Sequence, residues 1–265
     1  MVEGSSETSK GRGALAGQVA VVTGGAKGIG LGCARVIGRE GASIAVADFD
    51  LSACEASVAE LRDLGVTAEW YLCDVGKAED VNRMIEGVVS RFSRIDIVVN
   101  NAGIHDSKSL EDASEADWDR ILTNNLKSMY LVVKAALPYL KAAKGRIVNM
   151  SSMAGVVGQG HAAAYASTKG AIITLSKNLA LDLAPYGIRV NCICPGWVET
   201  PLVNVWFALQ PDEAAARKYI YSVHPLGRIA TSDEIGEAAL FLASDASSFI
   251  TGVALPVDGG VTLGY

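Results

Sequence analysis

The feature that most restricts this chain is an alternation of short, almost wholly apolar runs with helix-length segments. QVAVVT (18–23), ASIAVAD (ending at Asp48), IDIVVNNAG, RIVNMSS and GIRVNCIC are rich in β-branched residues and carry no polar face. Runs of that kind read as strands covered on both sides. Between them the spacing predicts helices over about Ile29–Glu40, Leu51–Leu64 and Ala78–Phe92. A longer helix opens at Ser114, with Asp117 in the acidic position of a capping box, and carries Trp118 and Asn125, with Pro138 near its end. Further helices run through Tyr165 and from Asp233-Glu234, TAEWYLCDV supplies a strand ending at Asp74-Val75, and GVALPVDGG a last one. Strand–helix alternation at this spacing predicts an α/β fold: a doubly wound parallel sheet with helices on both faces. Such a sheet needs a large apolar supply, and half of the 265 residues are hydrophobic. No linker or repeat divides the chain, so one domain is expected over 17–265. Residues 1–16, polar and rich in glycine and serine, are expected to form a flexible leader. The aromatic- and proline-bearing stretch 197–228 is expected to form a substrate lid.

In open parallel sheets, ligands bind beyond the carboxyl ends of the strands, and residues with chemistry collect there. The first strand runs into Gly24-Gly25-Ala26-Lys27-Gly28-Ile29-Gly30 and then a helix. Glycines let the backbone turn tightly and approach a pyrophosphate resting on the helix N-terminus, where unpaired N–H groups favour an anion. Asp48 ends the next strand, where a carboxylate accepts from the ribose hydroxyls of NAD and repels the 2′-phosphate of NADP. Lys27 argues the other way, since a cation there could meet that phosphate. Asp48 carries more weight because its position is specific, whereas Lys27 could face water.

Tyr165 and Lys169 are four apart in a helical segment and so share one face. An ammonium near a phenol lowers the phenol's pKa from about 10 toward the range useful for acid–base work. Ser152 follows the strand RIVNMSS and could aim its hydroxyl at the same place. YxxxK also occurs by chance with a half-buried tyrosine and a solvated lysine. The convergence of Asp74, Asn101-Ala102-Gly103, Ser152 and Pro195-Gly196 at strand ends favours the chemical reading.

The formal charge of −6 argues against a nucleic-acid or anionic-membrane surface. No apolar run approaches a membrane span of about 18 residues, and the N-terminus lacks the apolar core of a signal peptide. Five cysteines (33, 54, 73, 192 and 194) show neither a CxxC pair nor metal spacing with histidine, so no metal is expected. Free thiols and no export signal suit a reducing cytoplasm.

The ordered set Thr23-Gly24…Gly28-Ile29-Gly30, Asp74, Asn101-Ala102-Gly103, Asn125, Ser152, Tyr165-Ala166-Ser167-Thr168-Lys169 and Pro195-Gly196 resembles the short-chain dehydrogenase/reductase family in its single-domain form, over about residues 17–260. The resemblance implies a Rossmann-type fold and an NAD-dependent oxidoreductase acting on a secondary alcohol such as a sugar, polyol or hydroxysteroid. Asn125, Ser152, Tyr165 and Lys169 match the family's tetrad. Tyr165 would exchange the alcohol proton, Ser152 bind the developing carbonyl, Lys169 hold the nicotinamide ribose, and Asn125 anchor a water relay. Gly24, Gly28, Ile29 and Gly30 would line the pyrophosphate and Asp48 the ribose, with Lys27 a further cofactor-side residue in the turn. Asp74 and Val75 would face the adenine, Asn101, Ala102 and Gly103 the adenosine side, and Val198 and Thr200, after Pro195-Gly196, the carboxamide. Ser152, His161, Trp197 and Trp206 are candidate substrate contacts, with His105 a further polar group. The resemblance also implies a homotetramer, with Asp258 to Tyr265 approaching a neighbouring subunit. Two alternatives stand beside this one: an NADPH-linked carbonyl reductase of the 3-oxoacyl carrier-protein type, and a catalytically silent cofactor sensor, which would tend to lose Ser152 or Tyr165.

Overall fold

The computed structural model describes residues 13–264. Seven strands form one parallel sheet: β1 (Val19–Thr23), β2 (Ser43–Asp48), β3 (Ala68–Leu72), β4 (Ile97–Asn100), β5 (Arg146–Met150), β6 (Arg189–Pro195) and, last in the chain, β9 (Ala254–Val257). Their order is β3-β2-β1-β4-β5-β6-β9. The chain winds outward from β1 in one direction and then from β4 in the other, so a crevice opens where β1 and β4 lie side by side. Thr23 is level with Ala47 on one side and Asn100 on the other, which brings three strand ends to one line.

Alternate residues of the central strands enter opposite cores. Ala20, Val22, Ile44, Val46, Ile97 and Val99 pack under α1 (Gly28–Arg39), α2 (Leu51–Asp63) and the late helix α10 (Ser232–Ala243). Val19, Val21, Ala45, Ala47 and Val98 face α3 (Ala78–Phe92) and α5 (Ser128–Ala143). This is why the strands read as unbroken apolar runs. The segment TAEWYLCDV reads less cleanly because β3 is an edge strand, with Leu72 half exposed.

Helix starts are fixed by side chains. Asp50 accepts from the Ala53 N–H to begin α2. Ser114 and Asp117 form the expected reciprocal box at α4 (Glu115–Leu122), and Thr231 with Glu234 a second one at α10. The long helix expected beyond Ser114 is three pieces. After α4 comes a π-helical turn (Thr123–Lys127), and only then α5, which holds Pro138. Turns of this kind insert an extra residue without disturbing the apolar stripe, so spacing alone does not reveal them.

A four-residue helix, α6 (Ala154–Val157), follows β5 and leads to α7 (Ala163–Leu183), the Tyr165 helix. Beyond β6 come β7 (Val198–Glu199), α8 (Pro201–Ala208), α9 (Glu213–Ser222) and β8 (Ala230–Thr231), which pairs back onto β7. The stretch expected as a lid is thus two helices with a small core of their own, Phe207, Ile220 and Ile229. Of the expected leader, residues 1–12 lie outside the described residues. Its last part is packed: Leu15 is fully buried and its N–H donates to the Glu40 carbonyl at 2.9 Å.

Candidate active site

A cavity of ≈ 520 Å³ opens at the carboxyl ends of the central strands. Gly24, Lys27, Gly28 and Ile29 line one side, with Asp48, Asp74 and Val75 next to them, and Asn101, Ala102, Gly103, Tyr165, Lys169 and Thr200 on the other side. The glycine turn is braced by its neighbour. Asn101 donates from its amide to the carbonyls of Thr23 (3.1 Å) and Gly24 (3.0 Å), and the Thr23 hydroxyl accepts from the N–H groups of Asn101 and Ala102, both at 3.1 Å. The Asn101 side chain is thereby spent on the turn, leaving its backbone to face the cavity. Gly28 has φ +53, and an added Cβ would reach 3.2 Å from Thr200 Cγ2. Only glycine meets both conditions without strain.

Asp48 accepts weakly from the Ala26 N–H at 3.3 Å, which ties it to the glycine turn. Lys27 does not stand free. Its Nζ is 2.7 Å from Asp50 Oδ2, and that partner raises the ammonium's pKa. The sequence does not single out Asp50, because its pairing with Lys27 depends on how the turn folds.

Deeper in, Tyr165 and Lys169 do share a face of α7, with Nζ 5.4 Å from the centre of the phenol ring. The expected fall in the Tyr165 pKa is not what the protein alone shows. Burial raises it, and the neighbouring Ser152 hydroxyl pulls the other way. Lys169 is itself buried, so loss of solvent lowers its pKa to about 8, and its ammonium donates to the Met150 carbonyl at 2.9 Å. The i,i+4 spacing predicts proximity correctly but says nothing of desolvation, which here opposes both charges.

Asn125, fully buried in the π-helical turn, accepts from the Ile104 N–H (2.8 Å) and donates to the Ile104 carbonyl (2.9 Å). A weaker bond at 3.3 Å reaches the Thr168 hydroxyl, which donates to the Tyr165 carbonyl. A Cβ on Gly103 would come within 3.2 Å of Asn125 Oδ1 and 3.7 Å of Lys169 Nζ, so the bare backbone there lets the two groups approach.

A second cavity of ≈ 620 Å³ meets the first at Ile29, His105, Tyr165, Thr200 and Leu202. Ser152, His161, Gly196, Trp197, Val198 and Trp206 line it, with Gln159 and Ser107. Trp197 and Trp206 pack with ring centres 4.9 Å apart. His105 lies edge-on to Tyr165 at 4.4 Å, and its pKa is lowered, chiefly by burial.

A family model described as enoyl-(acyl carrier protein) reductase matches residues 24–262. L-fucose dehydrogenase of Oryctolagus cuniculus is 45% identical over 250 residues, covering 94% of this chain and 86% of that one. A 3-oxoacyl acyl-carrier-protein reductase from Thermotoga maritima is 36% identical over 94% of this chain and 99% of its own. The crystal structure of an NAD⁺-bound xylitol dehydrogenase superposes with a TM-score of 0.88 at 38% identity, covering 93% and 99% of the two chains. The chain belongs to the short-chain dehydrogenase/reductase family.

As a short-chain dehydrogenase/reductase it is an oxidoreductase of alcohol and carbonyl groups that uses a nicotinamide cofactor, and its first cavity fits one. Lys27 gives α1 no side-chain cap, and its first turn holds no acidic residue, so the helix N-terminus is left to an outside anion. Some expected contacts fall elsewhere. Gly30 does not line the cavity: a Cβ there would strike the Gly24 carbonyl, so its role is close packing. Pro195 lines neither cavity and instead accepts from the Met153 N–H at 2.8 Å. Gly196 and Val198 face the second cavity alone, and Asn125 sits behind Gly103 rather than on a wall. Phe49, 76% exposed on the rim beside Asp48, and Leu202 were missed. An exposed apolar residue just after a strand's final carboxylate was the available signal for Phe49. Among the described residues no helix is long and apolar enough to cross a membrane. Of the tail expected at a subunit contact, Tyr265 lies outside the described residues.

Proposed function

We propose that this enzyme is an NAD-preferring dehydrogenase of a secondary alcohol in a sugar, polyol or compound of similar size, with Tyr165 as the acid–base group. One observation carries the cofactor preference. Asp48 ends β2 at the cavity wall, and the cation that could have offset it, Lys27, is held by Asp50. A 2′-phosphate would thus meet two carboxylates, while ribose hydroxyls would find acceptors. Relatives whose names state L-fucose and xylitol oxidation support the sugar or polyol class.

A bound nicotinamide would supply the hydride acceptor for the carbinol carbon. The chain's own residues do the rest. Tyr165 Oη takes the alcohol proton, and the Ser152 hydroxyl donates to the oxygen as it becomes a carbonyl. The Lys169 ammonium, 5.4 Å from the phenol ring centre, would favour the phenolate and hold the nicotinamide ribose. Asn125 fixes Ile104 and, through Thr168, the first turn of α7, and so holds the floor beneath Tyr165. Gly24, Gly28 and Ile29 would receive the pyrophosphate, Asp74 and Val75 the adenine, and Thr200 the carboxamide. Trp197, Trp206 and His161 form the substrate side, and residues 197–228 act as its lid. The five cysteines are free and buried, which suits work in a reducing cytoplasm, and a homotetramer fits the family.

Fluorescence titration with NADH and NADPH tests the preference, and Tyr165→Phe tests the mechanism. NADH should bind at least tenfold more tightly. Tyr165→Phe should keep that affinity while turnover falls by several orders of magnitude. Preference for NADPH would turn the assignment to a carbonyl reductase, and retained turnover would remove Tyr165 from its role.

A further inference from the structure

Of the chain's three histidines, two line the second cavity, and the third, His224, is hidden behind it. It lies two residues past the end of α9 and is 2% exposed. Its Nδ1 lies 2.7 Å from the Ile220 carbonyl oxygen. A carbonyl only accepts, so Nδ1 carries the proton and Nε2 is left as an acceptor. Nε2 receives the backbone N–H of Trp197 at 3.4 Å. The ring thus links the end of α9 to the backbone of a residue whose indole forms the cavity wall.

Everything around Trp197 is held in register with that link. Its carbonyl accepts from the Ala230 N–H at 3.0 Å. The preceding residue, Gly196, fits so closely that a Cβ would come 2.9 Å from Asp258 Cα. On the other side the Trp197 ring meets Trp206 at 4.9 Å and Phe207 at 6.2 Å, and Phe207 is fully buried against Ile220 and Ile229. The N–H of Trp197 is tied into α9 through a side chain that both donates and accepts. An apolar residue at 224 would leave that N–H and the Ile220 carbonyl without a partner.

We propose that His224 is a positioning residue that sets the Trp197–Trp206 wall, and thereby the affinity for the alcohol rather than the rate of its oxidation. This rests on the second cavity being the substrate chamber. His224 lines neither cavity, so it touches neither the reacting atoms nor the cofactor.

The test is steady-state kinetics on the full chain with three variants, His224→Asn, His224→Gln and Trp197→Ala, using saturating NAD⁺ and a sugar or polyol the wild type oxidises. Asn can still donate to the Ile220 carbonyl but is too short to reach Trp197; Gln can reach it. His224→Asn should raise the alcohol KM about five- to tenfold, the worth of one lost hydrogen bond. Its kcat and NADH dissociation constant should stay within about twofold of wild type, and His224→Gln should recover most of the KM. If Trp197→Ala raises KM while His224→Asn does not, or if His224→Asn lowers kcat instead, the positioning role is overturned and the chamber stands. If neither variant changes KM, both the role and the chamber are wrong. Thermal melting of each variant confirms that folded enzyme is being compared.

Discussion

Lys169→Met in the cofactor-free protein should make the enzyme more stable while abolishing its activity. The ammonium's pKa falls from 10.5 to about 8 because burial strips its water, with a partial offset from Cys194. At about 1.4 kcal/mol per pH unit, holding that charge inside costs the folded state about 3 kcal/mol at neutral pH. Methionine fills a similar volume without a charge, but it strands the Met150 carbonyl that Lys169 now satisfies at 2.9 Å. Losing that bond returns about 1 kcal/mol, leaving a net gain of about 2 kcal/mol, or a melting temperature higher by about 4–8 °C. The sign with pH follows from the two proton affinities. The unfolded chain keeps the lysine proton up to pH 10.5, whereas the folded chain gives it up near 8. Between those values the unfolded state binds more protons, so wild-type stability relative to the variant rises with pH. The assay is thermal or urea unfolding of both proteins at pH 7 and pH 10.5. The variant's advantage should be full at pH 7 and gone, or slightly reversed, at the higher pH. A variant no more stable than wild type at pH 7, or an advantage unchanged at pH 10.5, would refute desolvation as the force on Lys169.

Two further outcomes follow from bonds around the glycine turn. Thr23→Val should destabilise the protein by about 2–4 kcal/mol, because the N–H groups of Asn101 and Ala102 both lose their acceptor; the urea midpoint should fall, and Thr23→Ser should largely restore it. Asp50→Ala should free Lys27 and remove the cap of α2, narrowing the gap between NADH and NADPH affinities in titration and costing about 1 kcal/mol in the unfolding midpoint.

The fold was legible because burial on both faces leaves its mark on every central strand, and polar residues such as Asp48 and Asn101 mark where the chain emerges at the crevice. The capping residues at Ser114 and Thr231 are local chemistry, readable in four residues. The π-helical turn at Asn125 was not legible, since one extra residue in a helix leaves the apolar stripe nearly intact. In the site, spacing placed Tyr165, Lys169 and Ser152 together, but their electrostatics depend on how much water is excluded, which no spacing encodes. The Lys27–Asp50 pair arises from two elements brought together by the turn, so neither residue announces it. Helix α8 was obscure for another reason: Leu202, Val205 and Leu209 are apolar yet face the second cavity rather than the core, so their pattern does not point to a packing partner.

The short ladder between β7 and β8 has a consequence for how this protein could change. Val198 pairs with Ala230 and Glu199 with Thr231, so the chain departs from and returns to the same spot. What lies between is a loop with clamped ends, and its closure entropy grows only with the logarithm of its length, by about 0.6 kcal/mol per doubling. The helices there could be shortened, extended or exchanged for another pair at little cost, while the glycine turn, Asp48 and Tyr165 keep their places on the sheet. On the proposed assignment, the share of the substrate wall that this insert carries is a graftable trait, exchanged on a chassis that need not be redesigned to receive it.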